Sequence, residues 1–153
     1  MSRERLVESV VYQSALLLDG REFQGYLDLC EPDFRYVVGA YSPEIRREMV
    51  WLDHDKTGLR GLFETLPRHN SDHATLTRHV TVYRVEIAAD GESASAISAL
   101  QVFRTPLDGG ATELYAVGKI HDSLRIAEGR ARLTKRHIRL DTRMLGIGTH
   151  IPF

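Results

Sequence analysis

The sequence predicts an α+β fold in which helices come first and an antiparallel sheet follows. In the first third of the chain, apolar residues recur at helical spacing. In the second half, four long segments are rich in β-branched residues or alternate in polarity, and tight-turn sequences separate them. Strands in such a meander cannot bury both faces of a sheet by themselves. The N-terminal helices are therefore expected to cover one face.

The first helix is predicted by the apolar residues spaced from Leu6 to Leu18, with Ser2 as its N-cap. Asp19-Gly20 ends it. A shorter helix over residues 23–30 follows, with Tyr26 on its apolar face, and ends before Pro32. The sequence therefore begins with two helices.

Residues 33–41 are rich in aromatic and β-branched side chains and predict a strand. Ser42 and Pro43 then have the residue types of a helix start, which predicts a short helix that ends by Trp51. A third helix is predicted over residues 55–67, with Asp55 as its cap and Pro67 at its end.

Four strands are predicted over residues 77–87, 94–104, 113–126 and 133–143. Strict alternation in the first of them places His79 and Tyr83 on the same face as Val85 and Ile87. Because these two neighbours are apolar, this face is expected to be the concave one.

Composition limits the function classes. The chain has 153 residues, which predicts one domain over residues 1–153. Its 20 basic and 21 acidic residues give a net charge of −1, which argues against nucleic acid as a partner. No apolar run is long enough to suggest a membrane span, and the charged N-terminal segment lacks a signal-peptide core. We therefore expect a cytoplasmic protein without a membrane partner.

The single cysteine, Cys30, excludes an internal disulfide and any cysteine-rich metal site, including a Rieske cluster with its two Cys and two His ligands. Its place at a helix end predicts a buried structural thiol. Three local clusters have residue types that ligate iron. They are His54 with Asp53 and Asp55, His69 with Asp72 and His73, and His121 with Asp122. The second has helical spacing in a loop-like sequence, and the third has its side chains on opposite faces of a strand, so no metal site is expected.

Two motifs near the C-terminus point to a known family. Residues Tyr115, Gly118, Asp122 and Leu124 form a Tyr-x-x-Gly-x-x-x-Asp-x-Leu pattern, and Arg136, Leu140 and Asp141 form an Arg-x-x-x-Leu-Asp pattern. With the predicted element order, they resemble the small (beta) subunits of Rieske non-haem iron ring-hydroxylating oxygenases, which have the NTF2-like (SnoaL-like) cone fold. Residues 41–46, 51–55 and 145–152 are most similar to the small subunits of methanesulfonate monooxygenase hydroxylases.

The resemblance implies a non-catalytic, structural subunit. Beta subunits of this family hold no iron or cluster themselves. They support an alpha subunit that carries the Rieske [2Fe–2S] centre and a mononuclear iron, typically in an alpha3beta3 hexamer with a trimer of the small chain. The reaction implied for the complex is aromatic-ring hydroxylation or oxidation of an alkanesulfonate.

The last predicted strand alternates in an unusual way, with Lys135, His137, Arg139 and Asp141 on one face and Arg136, Ile138 and Leu140 on the other. We expect charged contacts with other subunits from four residues: Asp122, Arg136, Arg139 and Asp141. Apolar contacts are expected from Trp51 and from the C-terminal segment that ends in Phe153. A lid over the chain's own cone is an equally good interpretation of Trp51.

The alternative function is a free-standing isomerase, dehydratase or cyclase that uses general acid–base chemistry in the cone. Its candidate pocket residues are His79, Tyr83, Asp33 and Tyr26, with Tyr12, Tyr36 and Gln101 as further lining. A core histidine hydrogen-bonded to a tyrosine also accounts for His79 and Tyr83. A small-molecule binding module without chemistry is the third interpretation.

Overall fold

The computed structural model of the chain describes residues 1–69, 73–143 and 153, except for the side chains of residues 67–69. The elements in chain order are α1 (Arg3–Asp19), α2 (Phe23–Asp28), β1 (Cys30–Ser42), β2 (Arg47–Asp55), α3 (Lys56–His69), β3 (Thr75–Ile87), β4 (Ser93–Thr105), β5 (Glu113–Ala127) and β6 (Arg130–Leu140). This arrangement confirms the predicted α+β class.

The strands form one six-stranded sheet in the order β2-β1-β6-β5-β4-β3. Strands β3 to β6 are the predicted antiparallel meander, while β1 lies parallel to β6 and pairs with β2 at the sheet edge. Each of the five strand pairs contains a register shift. Irregularities of this kind bend and twist a sheet, which accounts for its curvature.

The helices cover the inner, concave face of this curved sheet. Helix α1 packs on β3 and β6, and α3 packs on β1 and β2. The predicted caps are confirmed, because Arg5 N donates to Ser2 Oγ at 3.2 Å and Gly58 N donates to Asp55 Oδ1 at 2.7 Å. Helix α3 continues past Pro67 to His69, so its predicted end is two residues early.

The helix predicted to start at Ser42 is wrong. Residues 43–46 form a turn, and residues Arg47–Asp55 form strand β2, which pairs with β1. Arg46 has a φ of 52°, a left-handed conformation that ends any helical turn begun by Pro43. Trp51 is the extra residue at the register shift opposite Val38 and Gly39.

Within the described ranges, the three helices are too short or too polar to cross a membrane.

Candidate functional site

A buried ion pair lies at the centre of the concave face. Asp122 on β5 and Arg136 on β6 are direct register partners, and their side chains point towards the helices. Arg136 Nε donates to Asp122 Oδ1 and Arg136 Nη2 donates to Asp122 Oδ2, both at 2.8 Å. The residues are 1% and 3% exposed. This two-pronged geometry is the strongest form of a charge-assisted hydrogen bond.

Two helices contribute to the same network. Arg136 Nη1 donates to Ser14 Oγ on α1 at 2.9 Å and to Tyr26 Oη on α2 at 3.5 Å. The Ser14 hydroxyl in turn donates to the Val11 carbonyl at 2.6 Å. The pair and its neighbours therefore connect α1 and α2 to β5 and β6, the two central strands of the sheet.

This network stabilises the fold but offers no free acid or base. Both carboxylate oxygens of Asp122 accept hydrogen bonds from Arg136 and the residue is 3% exposed, so a substrate does not reach them. Burial raises the pKa of the Tyr26 hydroxyl above its usual range, which keeps that group protonated. The four polar side chains of this network therefore satisfy one another.

The predicted catalytic candidates on β3 and β1 lie outside the cone. His79 is exposed on the outer face, where its ring lies 4.8 Å from that of Phe103. Tyr83 is 64% exposed. The Asp33 side chain is 65% exposed and lies 3.7 Å from Arg125. The prediction that His79, Tyr83 and Asp33 line the pocket of the cone is therefore wrong.

A β-bulge explains the error on β3. The register shifts between Val82 and Arg84, which leaves Tyr83 without a partner residue on β4. One extra residue reverses which side chains face inward beyond that point. Val85 and Ile87 do pack against the core, but before the bulge the inward residues are even-numbered, as Arg78 is, so His79 faces out.

The remaining predicted lining residues divide between the two faces. Tyr26 and Tyr36 are fully buried inside the cone, as expected. Gln101 is exposed on the outer face. Tyr12 is 44% exposed and fixes the bulge, because its hydroxyl accepts a hydrogen bond from Val82 N at 3.1 Å.

Asp122 and Arg136 are buried by their own chain, so the prediction that they contact another subunit is wrong for these two residues. Arg139 and Asp141 are exposed on the outer face, and Arg139 Nη2 binds Glu48 on β2. Trp51 is half-buried and packs against the core of its own chain. An interface role for Arg139, Asp141 and Trp51 stays a prediction.

Phe153 lies inside the chain and not on a free surface. It is 5% exposed, its backbone N donates to Tyr36 Oη at 2.9 Å, and its ring centroid lies 6.3 Å from that of Tyr115. The prediction that Phe153 packs on a partner is therefore wrong. Residues 144–152 of the same predicted segment lie outside the described residues.

Metal ligands do not assemble in the part of the chain that the structure describes: no three His, Cys, Asp or Glu side chains there form a group that could hold an ion. His69 and Asp72 of the predicted loop cluster fall outside the described side chains. Cys30 is buried, its Sγ donates to the Tyr26 carbonyl at 3.4 Å, and burial raises the pKa of its thiol to about 12. The expected structural thiol is thus a protonated core residue, not a nucleophile or ligand.

Two buried polar contacts were not predicted from the sequence. One is the Ser14 hydroxyl, although Ser14 shares the apolar spacing of α1, which is the signal for an inward-facing polar group. The other is Arg78, whose side chain is 1% exposed and binds Asp19 with Nη1 and Oδ1 2.8 Å apart. Arg78 points inward because the even-numbered residues of β3 face the core before the bulge. A single sequence does not show which of the two alternating sets faces inward.

The sequence of this chain is similar to those of known proteins. The sequence model described as "ring hydroxylating beta subunit" matches residues 13–146. The beta subunit of methanesulfonate monooxygenase hydroxylase from Methylosulfonomonas methylovora is 40% identical, over 95% of this chain and 84% of the relative. The beta subunit of 2-aminobenzenesulfonate 2,3-dioxygenase from an Alcaligenes species is 33% identical, over 95% of this chain and 96% of the relative.

Solved structures show the same fold. A chain of naphthalene 1,2-dioxygenase, crystallised with indole in its active site, superimposes with a TM-score of 0.77 at 19% identity, covering 97% of this chain and 82% of that one. The predicted NTF2-like cone is confirmed. By its match over residues 13–146 and its relatives at 40% and 33% identity, the chain belongs to the ring hydroxylating beta subunit family.

Proposed function

We propose that this chain is the non-catalytic small subunit of a multicomponent Rieske-type oxygenase and supports an iron-bearing alpha subunit. The observation that carries the proposal is the family membership, together with two relatives that are each described as a subunit beta. The closed Asp122–Arg136 network supports it, because the cone's central polar groups are used for stability. The alternative acid–base enzyme is not favoured, since His79, Tyr83 and Asp33 lie outside the cone.

The redox groups of such an oxygenase do not fit the residues of this chain. A Rieske centre needs two Cys and two His ligands. The one cysteine here, Cys30, has its thiol buried and hydrogen-bonded in the core. Within the described residues, no two His and a carboxylate come together as a mononuclear iron would require. We therefore assign both the [2Fe–2S] cluster and the mononuclear iron to the alpha subunit.

A sulfonate is the proposed substrate class of the assembled complex. Both curated relatives are named for oxygenases of sulfonates, one of methanesulfonate and the other of an aminobenzenesulfonate. The two names differ in whether the carbon skeleton is an alkane or an arene. The proposal therefore covers alkanesulfonate oxidation and hydroxylation of a sulfonated ring.

The assembly proposed for the complex is an alpha3beta3 hexamer, with this chain as a trimer. Arg139 and Asp141 on the uncovered outer face of the sheet, and Trp51 in β2, are the proposed contact residues. The cytoplasmic location expected from the sequence is kept as part of this proposal.

Purification of tagged chain from its native host tests the proposal, with partner mass and iron content measured on the same sample. We expect a much larger partner that carries iron, and no iron on the small chain once the two are separated. A host strain with untagged chain is the control for adventitious capture. An iron-free homo-oligomer without a partner would contradict the proposed function.

A further inference from the structure

We propose that the outer face of the sheet carries a binding site for a small tetrahedral oxyanion of the sulfonate or sulfate type. The site lies across strands β4, β5 and β6, on the face opposite the buried ion pair, and it borders the subunit contact proposed above for Arg139. The inference rests on the proposed function only in the choice of methanesulfonate as the first anion to be tested.

The site is a depression with a volume of about 400 Å³. Its lining residues are Ser95, Ala96, Ile97, His121, Asp122, Ser123, Lys135, His137 and Arg139. The sheet register brings them together, because His121 lies directly opposite His137 and Ser123 lies opposite Lys135. The volume is in the range of small-ligand sites, which run from about 300 to 1,000 Å³.

The lining is positively charged in a chain whose net charge is −1. Its acidic member, Asp122, turns its carboxylate inward to Arg136. Lys135 interacts electrostatically with Asp53 on β2, and Arg139 uses one nitrogen, Nη2, on Glu48 of the same strand. Cationic groups that line a depression in a protein surface raise the local concentration of anions.

The electrostatic environment of His137 agrees with this charge distribution. Partial burial lowers the pKa of His137, and the positive charges of Arg139 and Lys135 on the same strand lower it further. His121 on β5 acts in the same direction, whereas Glu48 on β2 opposes it. An anion held among these groups would favour the protonated imidazole, so its binding is expected to raise the pKa of His137.

The chemistry of the lining favours an oxyanion over a metal ion. The ammonium of Lys135, the guanidinium of Arg139 and the hydroxyls of Ser95 and Ser123 donate hydrogen bonds, which the oxygens of a sulfonate accept. Two imidazoles alone are too few ligands for a stable metal site, and the neighbouring cations would repel a divalent ion.

The test is an NMR titration of the histidine side chains of the full-length chain. Sodium methanesulfonate and sodium sulfate are added separately, with sodium chloride used to hold the ionic strength constant. We expect saturable shifts of the His121 and His137 resonances, a higher pKa for His137 in the bound state, and no shift for His79. Shifts that rise linearly without saturation, or that chloride reproduces, would overturn the proposal.

Matched variants locate the site. Lys135→Gln is expected to weaken anion binding by roughly tenfold or more, because it removes a charged donor. Arg130→Gln removes the same charge from a β6 residue outside the lining and is expected to leave affinity unchanged. His137→Gln is the second variant of the site, with the same expected loss. Equal weakening by Lys135→Gln and Arg130→Gln would show a diffuse ionic effect and refute the site.

The two anions distinguish a site for the oxygenase substrate from a general oxyanion site. Tighter binding of methanesulfonate supports a site that serves the oxygenase substrate, and equal or tighter binding of sulfate supports a general oxyanion site. Saturable binding by a chain that recovers no iron-bearing partner from its host would refute the proposed function and leave this site standing. Recovery of the iron-bearing partner by a chain that binds no anion would refute the anion site and leave the proposed function standing.

Discussion

Asp122→Asn is expected to lower the free energy of unfolding of the chain by roughly 3–5 kcal/mol, because it leaves the Arg136 guanidinium buried without a counter-charge. The substitution keeps the size of the side chain, so packing is not the cause. Arg136 is 1% exposed, and water cannot replace the lost carboxylate. Urea unfolding followed by far-UV circular dichroism measures the change.

Glu48→Gln is the matched control. It also removes a carboxylate bound to an arginine, but the side chains of Arg139 and Glu48 are 49% and 39% exposed. An exposed pair contributes less than about 1 kcal/mol. Replacing both buried partners by apolar residues, as in Asp122→Leu with Arg136→Met, is expected to recover much of the loss. If Asp122→Asn costs no more than Glu48→Gln, the buried pair does not have the stabilising role described here.

Gly118→Ala is expected to lower the free energy of unfolding by about 1–3 kcal/mol or more, because the added methyl group has no space. A Cβ atom at residue 118 would lie 2.4 Å from the Arg139 carbonyl oxygen and 2.9 Å from the Leu140 Cα. These atoms are backbone, so no side-chain rotation relieves the contact. Strands β5 and β6 must separate at the end of their paired region, where Gly118 lies opposite Leu140, four residues along β5 from Asp122.

Gly61→Ala is the control for this substitution and is expected to change stability in the opposite direction. Gly61 lies within α3, and a Cβ there would meet nothing within 4 Å. Alanine in a helix interior is favoured over glycine by about 0.5–1 kcal/mol. Thermal unfolding of the two variants should therefore show opposite shifts in Tm, and equal shifts would contradict the steric account of Gly118.

The sequence predicts the local elements well where one pattern decides them. Helical spacing and the Ser2 cap predict α1, and the turns between alternating segments predict the meander of β3 to β6. The Ser42-Pro43 pair suggests a helix from local preference alone, whereas pairing with β1 makes the following segment a strand. The parallel pairing of β1 with β6 joins distant parts of the chain, and no local signal encodes it.

The sequence predicts on which face of its strand each residue of the buried ion pair lies, but not that the two residues bind each other. Simple alternation correctly places Arg136 on the same face as Ile138 and Leu140, and Asp122 on the face opposite His121. That these charges bind each other depends on the register between β5 and β6, which the sequence does not specify. For His79 the alternation fails because a bulge at Tyr83 changes the phase of the strand.

If this chain supports catalysis without supplying a catalytic group, Tyr26→Phe in the assembled oxygenase leaves the reaction rate unchanged. The variant removes the buried hydroxyl at the centre of the cone but leaves Arg136 bound to Asp122 and Ser14. Turnover is measured per iron atom, so that reduced assembly does not lower it. We predict unchanged turnover per iron. A loss of roughly 100-fold or more, the range of general acid–base catalysis, in a variant that folds and assembles would show that this chain supplies a catalytic group.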